Sequence, residues 1–253
     1  MLTPGLVSIT FRKLSPREVA DLVARAGLTG IEWGGDVHAP HGDLERAREV
    51  RQITRDAGLE VAAYGSYYRL GKSEAEGLAF RDVLNSAVEL GAPLIRVWAG
   101  AKPSAEADEA YRREIADEAA RIAEEAAAAG VGIAYEYHAN TLTDTNESAQ
   151  DLLERTQTPN ITTLWQPPNG QSPEYCLEGL KAVLPRLSNV HVFHWWPTNK
   201  DRNPLDAGTD RWKPFLDTLR STGRDHHLLI EFVKDDDPEN FLADAAALRR
   251  WIG

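Results

Sequence analysis

Gly132-Ile133-Ala134-Tyr135-Glu136-Tyr137-His138 is the stretch on which the reading of this chain turns. It follows a helix-stopping glycine, Gly130, and runs into the polar loop Ala139-Asn140-Thr141. Strand side chains alternate, so Ala134, Glu136 and His138 share one side and Ile133, Tyr135 and Tyr137 the other. The bulkier set suits a layer of helices, which turns Glu136 toward the interior of a sheet. A lone buried carboxylate is costly unless it meets a cation or stays protonated. Glu136 therefore marks a site; an ion pair with Arg96 on the neighbouring strand is its structural alternative.

The same unit, a short apolar run and then a longer amphipathic segment, recurs along the chain. Strands are expected at Gly5–Thr10, Gly30–Trp33, Glu60–Tyr64, Pro93–Trp98, Gly132–Tyr137, Ile161–Gln166, Asn189–His194 and Leu228–Val233. Ser15-Pro16 and Ser172-Pro173 read as helix starts, an N-cap followed by proline at the first helical position. Further helices are expected over Asp43–Ala57, Glu74–Leu90, Ala105–Ala129, Asn146–Thr156, Arg211–Ser221 and Pro238–Trp251. Eight alternations over residues 1–253, with no Pro/Ser-rich linker, predict one domain, a single (β/α)8 barrel. A dinucleotide-binding open sheet would need a glycine-rich turn after its first strand, where this chain has Phe11-Arg12-Lys13-Leu14.

The net charge of −11 disfavours binding to polyanions, so no nucleic-acid partner is expected. Cys176 is the single cysteine, which excludes an internal disulfide and suits a reducing compartment. No run approaches the roughly 20 apolar residues that cross a bilayer, and residues 1–5 do not resemble a secretion signal. A cytoplasmic location without membrane association is expected.

In such a barrel the C-terminal strand ends build the site. Glu136, Gln166, His191 and Glu231 stand late in the last four strands. Two carboxylates, an imidazole and a carbonyl-type oxygen suit a hard divalent ion, so these four are the candidate metal ligands. Mn²⁺ or Mg²⁺ comes first, Co²⁺ or Zn²⁺ second. Trp33, Trp98, Trp165, Trp195 and Trp196 also fall at strand ends and suggest a pocket walled by aromatic rings, suited to sugar C–H faces. Candidate substrate contacts are Glu32, Trp33, His38, Tyr64, Trp98, His138, Asn169, His194, Trp195 and Arg202. His226 and His227 precede the last strand, at the opposite face, and carry no functional assignment.

Gly30-Ile31-Glu32-Trp33, Arg96-Val97-Trp98-Ala99-Gly100, Glu136, His191 and Glu231 together resemble the xylose isomerase-like TIM-barrel superfamily over essentially the whole chain. That group holds sugar phosphate isomerases and epimerases, inosose dehydratases, ketose 3-epimerases and endonuclease IV. The resemblance implies that Glu136 and Glu231 both bind the metal and move protons as an acid–base pair. It implies a divalent-metal-dependent isomerase or epimerase that abstracts a proton beside a carbonyl through a metal-stabilised enediolate. The substrate would be a small carbohydrate or polyol, and a homodimer is compatible with the fold. A lyase or dehydratase acting on a keto-sugar or keto-inositol would use the same site, and a non-catalytic sugar-binding homologue is the other class. The family normally has Asp where this chain has Gln166, and His where it has Asn169. The first departure removes one negative charge from the ligand set and the second a sugar contact. Endonuclease IV needs further His and Asp ligands that Tyr64-Gly65-Ser66 and Asn169 do not supply.

Overall fold

The computed structural model describes residues 1–253. Eight parallel strands close into a barrel in chain order: β1 (Leu2–Val7), β2 (Gly30–Gly34), β3 (Glu60–Arg69), β4 (Leu94–Trp98), β5 (Gly132–Glu136), β6 (Ile161–Trp165), β7 (Leu187–Val192) and β8 (His226–Ile230). Outside them lie α1 (Pro16–Arg25), α2 (Leu44–Asp56), α3 (Phe80–Leu90), α4 (Glu109–Ala128), α5 (Asn146–Arg155), α6 (Pro173–Val183), α7 (Thr209–Ser221) and α8 (Pro238–Ile252). No helix is long and apolar enough to cross a membrane.

Local chemistry starts and stops these elements. Ser15 caps α1 in a reciprocal capping box with Glu18, and Ser172 caps α6 by accepting from the Tyr175 N–H. Gly91 closes α3 at φ 75°, a left-handed conformation that costs glycine little. Strand–helix packing then buries one large apolar layer between barrel and helices, in which Trp33, Trp165, Trp212 and Phe215 are fully enclosed. Inside the barrel, Ala63, Leu94, Ala134 and Leu164 form a separate small plug. On three of those strands the inward position two residues further on is polar: Arg96, Glu136 and Gln166. An apolar floor with a polar layer above it is how the fold places its site.

Several boundaries differ from expectation. Residues 8–11 wind into a 3₁₀ turn instead of extending β1. β3 runs to Arg69, five residues past Tyr64, and α3 starts only at Phe80 because residues 70–77 are taken up by turns. The extension of β3 contains a bulge: its register with β4 jumps between Gly65 and Tyr68. The Ser66 hydroxyl donates to the Arg96 carbonyl at 2.6 Å and accepts from the Tyr68 N–H at 3.2 Å, while Tyr67 adopts φ 55°. A bulge of this kind re-aims a side chain. Gln166 and Glu231 lie one residue beyond their strands, although the Glu231 N–H still bonds to the Val192 carbonyl at 3.1 Å.

Candidate metal centre at the barrel mouth

Alternation along β2, β4, β5, β7 and β8 brings Glu32, Arg96, Glu136, His191 and Glu231 together at one level, all buried. Ligand atoms of Glu136, His191 and Glu231 lie within 4.8 Å of one another, so this group can hold a metal ion. His191 Nδ1 stands 3.8 Å from Glu136 Oε1 and 3.6 Å from Glu231 Oε2. Gln166 Oε1 joins at 3.1 Å from the same nitrogen, and the amide is oriented by its Nε2–H, which donates to the Tyr137 carbonyl at 2.6 Å. The other ring nitrogen, Nε2, faces Glu32 Oε2 at 3.1 Å. A carboxylate behind the imidazole fixes its tautomer and orientation, as around metal-binding histidines generally.

Arg96 is the cation of the layer. Its Nε donates to Glu32 Oε1 at 2.6 Å and its Nη1 to Glu136 Oε2, which also accepts from Trp98 Nε1 at 2.5 Å. The ion pair considered as an alternative to a metal site is thus present beside the metal-type cluster. One oxygen of Glu136 serves each. Gly65 makes the reach to Glu32 feasible: a Cβ there would fall 2.6 Å from Arg96 Nη2 and 2.7 Å from Glu32 Oε1.

Burial would push the Glu32 carboxyl up, but Arg96 and His191 override it and hold the pKa at about 2. Burial would push His191 down, yet Glu231 and Glu32 raise it to about 10, so the metal-free ring is an imidazolium donating from both nitrogens. Three buried carboxylates against one guanidinium leave two unbalanced negative charges, and a proton on His191 cancels one. A divalent ion with neutral His191 would cancel both. The donor set, its burial and this charge balance all fit a divalent ion.

The other nominated residues divide by strand parity. Trp33 follows inward Glu32 and therefore points outward, fully buried, its Nε1 donating to Thr54 on α2 at 3.0 Å. Trp165 precedes Gln166 and packs edge-on to Trp212 and Phe215. Tyr64 likewise faces outward, donating to the Ala39 carbonyl at 2.7 Å. His38 is tied between Ser8 Oγ at 2.9 Å and the Leu14 carbonyl at 3.2 Å. Trp33, Tyr64 and His38 are thus enclosed in the surrounding structure, and Glu32 supports His191 and Arg96 from a fully buried position.

Trp98, His138, Asn169, Trp195 and Arg202 are at the mouth, and His194 is half-buried beside Gly208. His138 stacks on Trp98 with ring centroids 4.2 Å apart. With Gln166 and Asn169 it lines a polar cavity of about 240 Å³ between the β5 and β6 loops. Trp195 stacks on Phe193 at 3.7 Å, and Arg202 reaches Asp236 at 2.5 Å while lying over the Phe232 ring.

Three residues of the mouth were not nominated. Arg96 carried a legible signal, a lone charge at an inward position of an apolar run. Tyr67 did not: the bulge brings its ring to 4.9 Å from the Arg96 guanidinium carbon. Strand alternation would put Phe232 on the outer face with Leu228 and Ile230. A φ of 44° instead turns it away from that face, and it packs against Val7, Ile9, Ala62 and Leu229.

A closed parallel barrel with a buried Glu–Glu–His cluster at its C-terminal mouth defines the class of protein. A sequence profile described as xylose isomerase-like TIM barrel matches residues 20–251, and the chain belongs to that family. Among solved structures, the probable 3-DHS dehydratase AsbF of Bacillus anthracis superposes with a TM-score of 0.81 at 20% identity, covering 98% of this chain and 99% of that one. A xylose isomerase domain protein of Alicyclobacillus acidocaldarius gives 0.78 at 18% identity, with 100% and 98% coverage. The D-psicose 3-epimerase of Clostridium cellulolyticum H10, solved with D-tagatose, gives 0.75 at 15% identity and 99% coverage of both chains. At these identities the likeness is one of fold. No curated protein matches by sequence.

Proposed function

We propose that the protein is a divalent-metal-dependent enzyme that moves a proton at the carbon beside a carbonyl of a sugar, polyol or keto derivative of one. The observation that carries this is the buried triad Glu136, His191 and Glu231, with Gln166 Oε1 turned toward it. The fold shared with an epimerase and a probable dehydratase supports an enzymatic reading. Mn²⁺ is the ion to try first, and Glu136, Gln166, His191 and Glu231 are the residues that would hold it. When bound, a divalent ion supplies Lewis acidity that polarises a carbonyl and an adjacent hydroxyl.

Chain residues do the rest. Glu32 keeps the Nε2–H of His191 occupied, which leaves Nδ1 for the ligand role. Glu136 has Oε2 committed to Arg96 and Trp98 and Oε1 turned to the cluster, so both its oxygens are engaged. Glu231 has no hydrogen-bond donor fixing its carboxylate; His191 Nδ1 at 3.6 Å is its charged neighbour. Glu231 is therefore the group that takes the proton from carbon and returns it. A single carboxylate free of hydrogen bonds suits isomerisation, where the proton goes back to a neighbouring carbon on the same face. It also suits elimination, where the proton goes to a leaving oxygen; the pinning of Glu136 favours both of these one-base routes. Two-base epimerisation, which needs a free acid on each face, fits less well.

The test is deuterium incorporation from D₂O into a panel of ketoses and keto-sugars by the Mn²⁺-loaded protein. Exchange beside the carbonyl is expected, and Glu231→Gln should abolish it. A metal-loaded protein that exchanges nothing across the panel would overturn the reading. If Glu136→Gln and Glu231→Gln leave metal content unchanged, the chain is instead a non-catalytic sugar-binding protein.

A further inference from the structure

The polar cavity between the loops after β5 and β6 adjoins the candidate centre at Gln166, which lines it and holds Oε1 3.1 Å from His191 Nδ1. His138, also in the lining, stacks on Trp98, whose Nε1 donates to Glu136 Oε2. The wall further includes Asn140, Thr143, Asp144 and Asn169. The Thr143 hydroxyl donates to the Glu136 carbonyl, which ties this loop to the strand end that carries a candidate ligand. Cavity and centre thus share Gln166 and are joined through two side chains more.

The lining has one formal charge, the Asp144 carboxylate, and no lysine or arginine. Asp144 Oδ2 accepts the Ser104 N–H at 3.1 Å, whereas Oδ1 is buried without a hydrogen-bond partner. A carboxylate oxygen left in that state is costly, and a donor would relieve it. His138 gives its Nδ1–H to the Ala139 carbonyl at 2.7 Å, which leaves Nε2 as its free ring nitrogen. Arg12, Arg96 and Arg202 are each paired with a carboxylate. Arg211 is outside the lining and donates to the Gln171 carbonyl at 2.9 Å. An anionic group in this cavity would face Asp144 with no cation to offset it, while a hydroxyl would supply the missing donor.

We infer that the cavity receives the tail of the substrate, an uncharged polyhydroxylated arm, and that Asp144 is a specificity-determining residue. It accepts from a tail hydroxyl and repels a phosphate at that position. The volume of about 240 Å³ exceeds the roughly 150 Å³ that encloses a benzene ring, so an arm of about three or four carbons fits. The substrate class is then a free ketose or keto-polyol, not a sugar phosphate esterified at the end remote from the carbonyl. This deepens the proton-transfer reading and rests on it for placing the carbonyl end at the centre.

The experiment has a binding arm and a reaction arm, both on the Mn²⁺-loaded full chain. In the first, xylitol is titrated by calorimetry into wild type and Asp144→Asn, with melting temperature and Mn²⁺ content as controls. A hydrogen bond to a charged acceptor is worth roughly 10- to 100-fold in affinity, and Asp144→Asn should lose that much. Absence of saturable binding to wild type, or equal binding to the folded variant, overturns the inference. In the second arm, D-xylulose is compared with D-xylulose 5-phosphate, and D-fructose with D-fructose 6-phosphate, for deuterium exchange from D₂O. Each pair shares its carbonyl end and differs in the charge of its tail. Wild type should favour the free ketose in kcat/KM, and Asp144→Lys should shift the preference toward the phosphate, through KM more than kcat. A wild-type preference for the phosphates, or an unchanged ratio in Asp144→Lys, overturns the inference while leaving proton transfer intact. If xylitol binding depends on Asp144 but no ketose exchanges, proton transfer falls and the cavity stands as a polyol-binding site.

Discussion

Replacing Arg96 by Met tests the electrostatic account of the mouth most directly. The Arg96 side chain is 2% exposed, and its guanidinium is the only permanent cation hydrogen-bonded to Glu32 and Glu136. Methionine keeps most of the aliphatic stem, so the packing loss is small. What remains is two buried carboxylates without their partner, and removing one member of a buried pair costs about 3–5 kcal/mol. For a chain of this size that corresponds to a fall in melting temperature of roughly 6–20 °C. The measurement is urea and thermal unfolding in the presence of EDTA. Mn²⁺ should then recover more stability in Arg96→Met than it adds to wild type, because the ion offsets the charge of three buried carboxylates with no guanidinium competing for Glu136. A loss below about 1 kcal/mol, or an equal response to Mn²⁺ in both proteins, would refute the charge balance proposed for the centre.

Three further outcomes are expected. Glu32→Gln keeps a polar partner for His191 Nε2 but loses the charge that orients and supports the ring, so Mn²⁺ affinity measured by calorimetry should fall roughly 10- to 100-fold with the fold retained. Gln166→Glu would set a carboxylate oxygen against the Tyr137 carbonyl where Nε2 now donates at 2.6 Å, so metal-free stability should drop by about 1–3 kcal/mol in chemical denaturation. Asp244 is pushed up to about 6, chiefly by burial and against the Leu205 N–H that bonds it. Its folded state holds the proton longer than the unfolded chain, so it lowers stability as pH rises from about 4 to about 6. Asp244→Asn should flatten that part of the stability–pH curve, and an unchanged slope would count against the assignment.

Parity explains which parts of the site could be read in advance. On β5, the alternation of Ile133, Ala134, Tyr135 and Glu136 fixes an inward acid without knowledge of any other strand. His191 and Glu231 follow the same rule. Trp33, Tyr64 and Trp165 obey it too: each is next to an inward residue and so belongs to the helix layer, which the bare clustering of aromatic residues at strand ends concealed. Tyr67 and Phe232 break the rule, because a bulge and a left-handed residue each add a rotation that no local pattern announces.

By itself, then, the order of residues determined the eight strand–helix units, the barrel they form and the inward acids, since hydrophobic periodicity and helix caps act over a few residues. Only the tertiary structure decided that Glu136 divides its oxygens between Arg96 and the cluster and that Glu32 stands behind His191. Those are contacts between strands up to 159 residues apart, set by barrel closure and register. Distance along the chain carries no record of them.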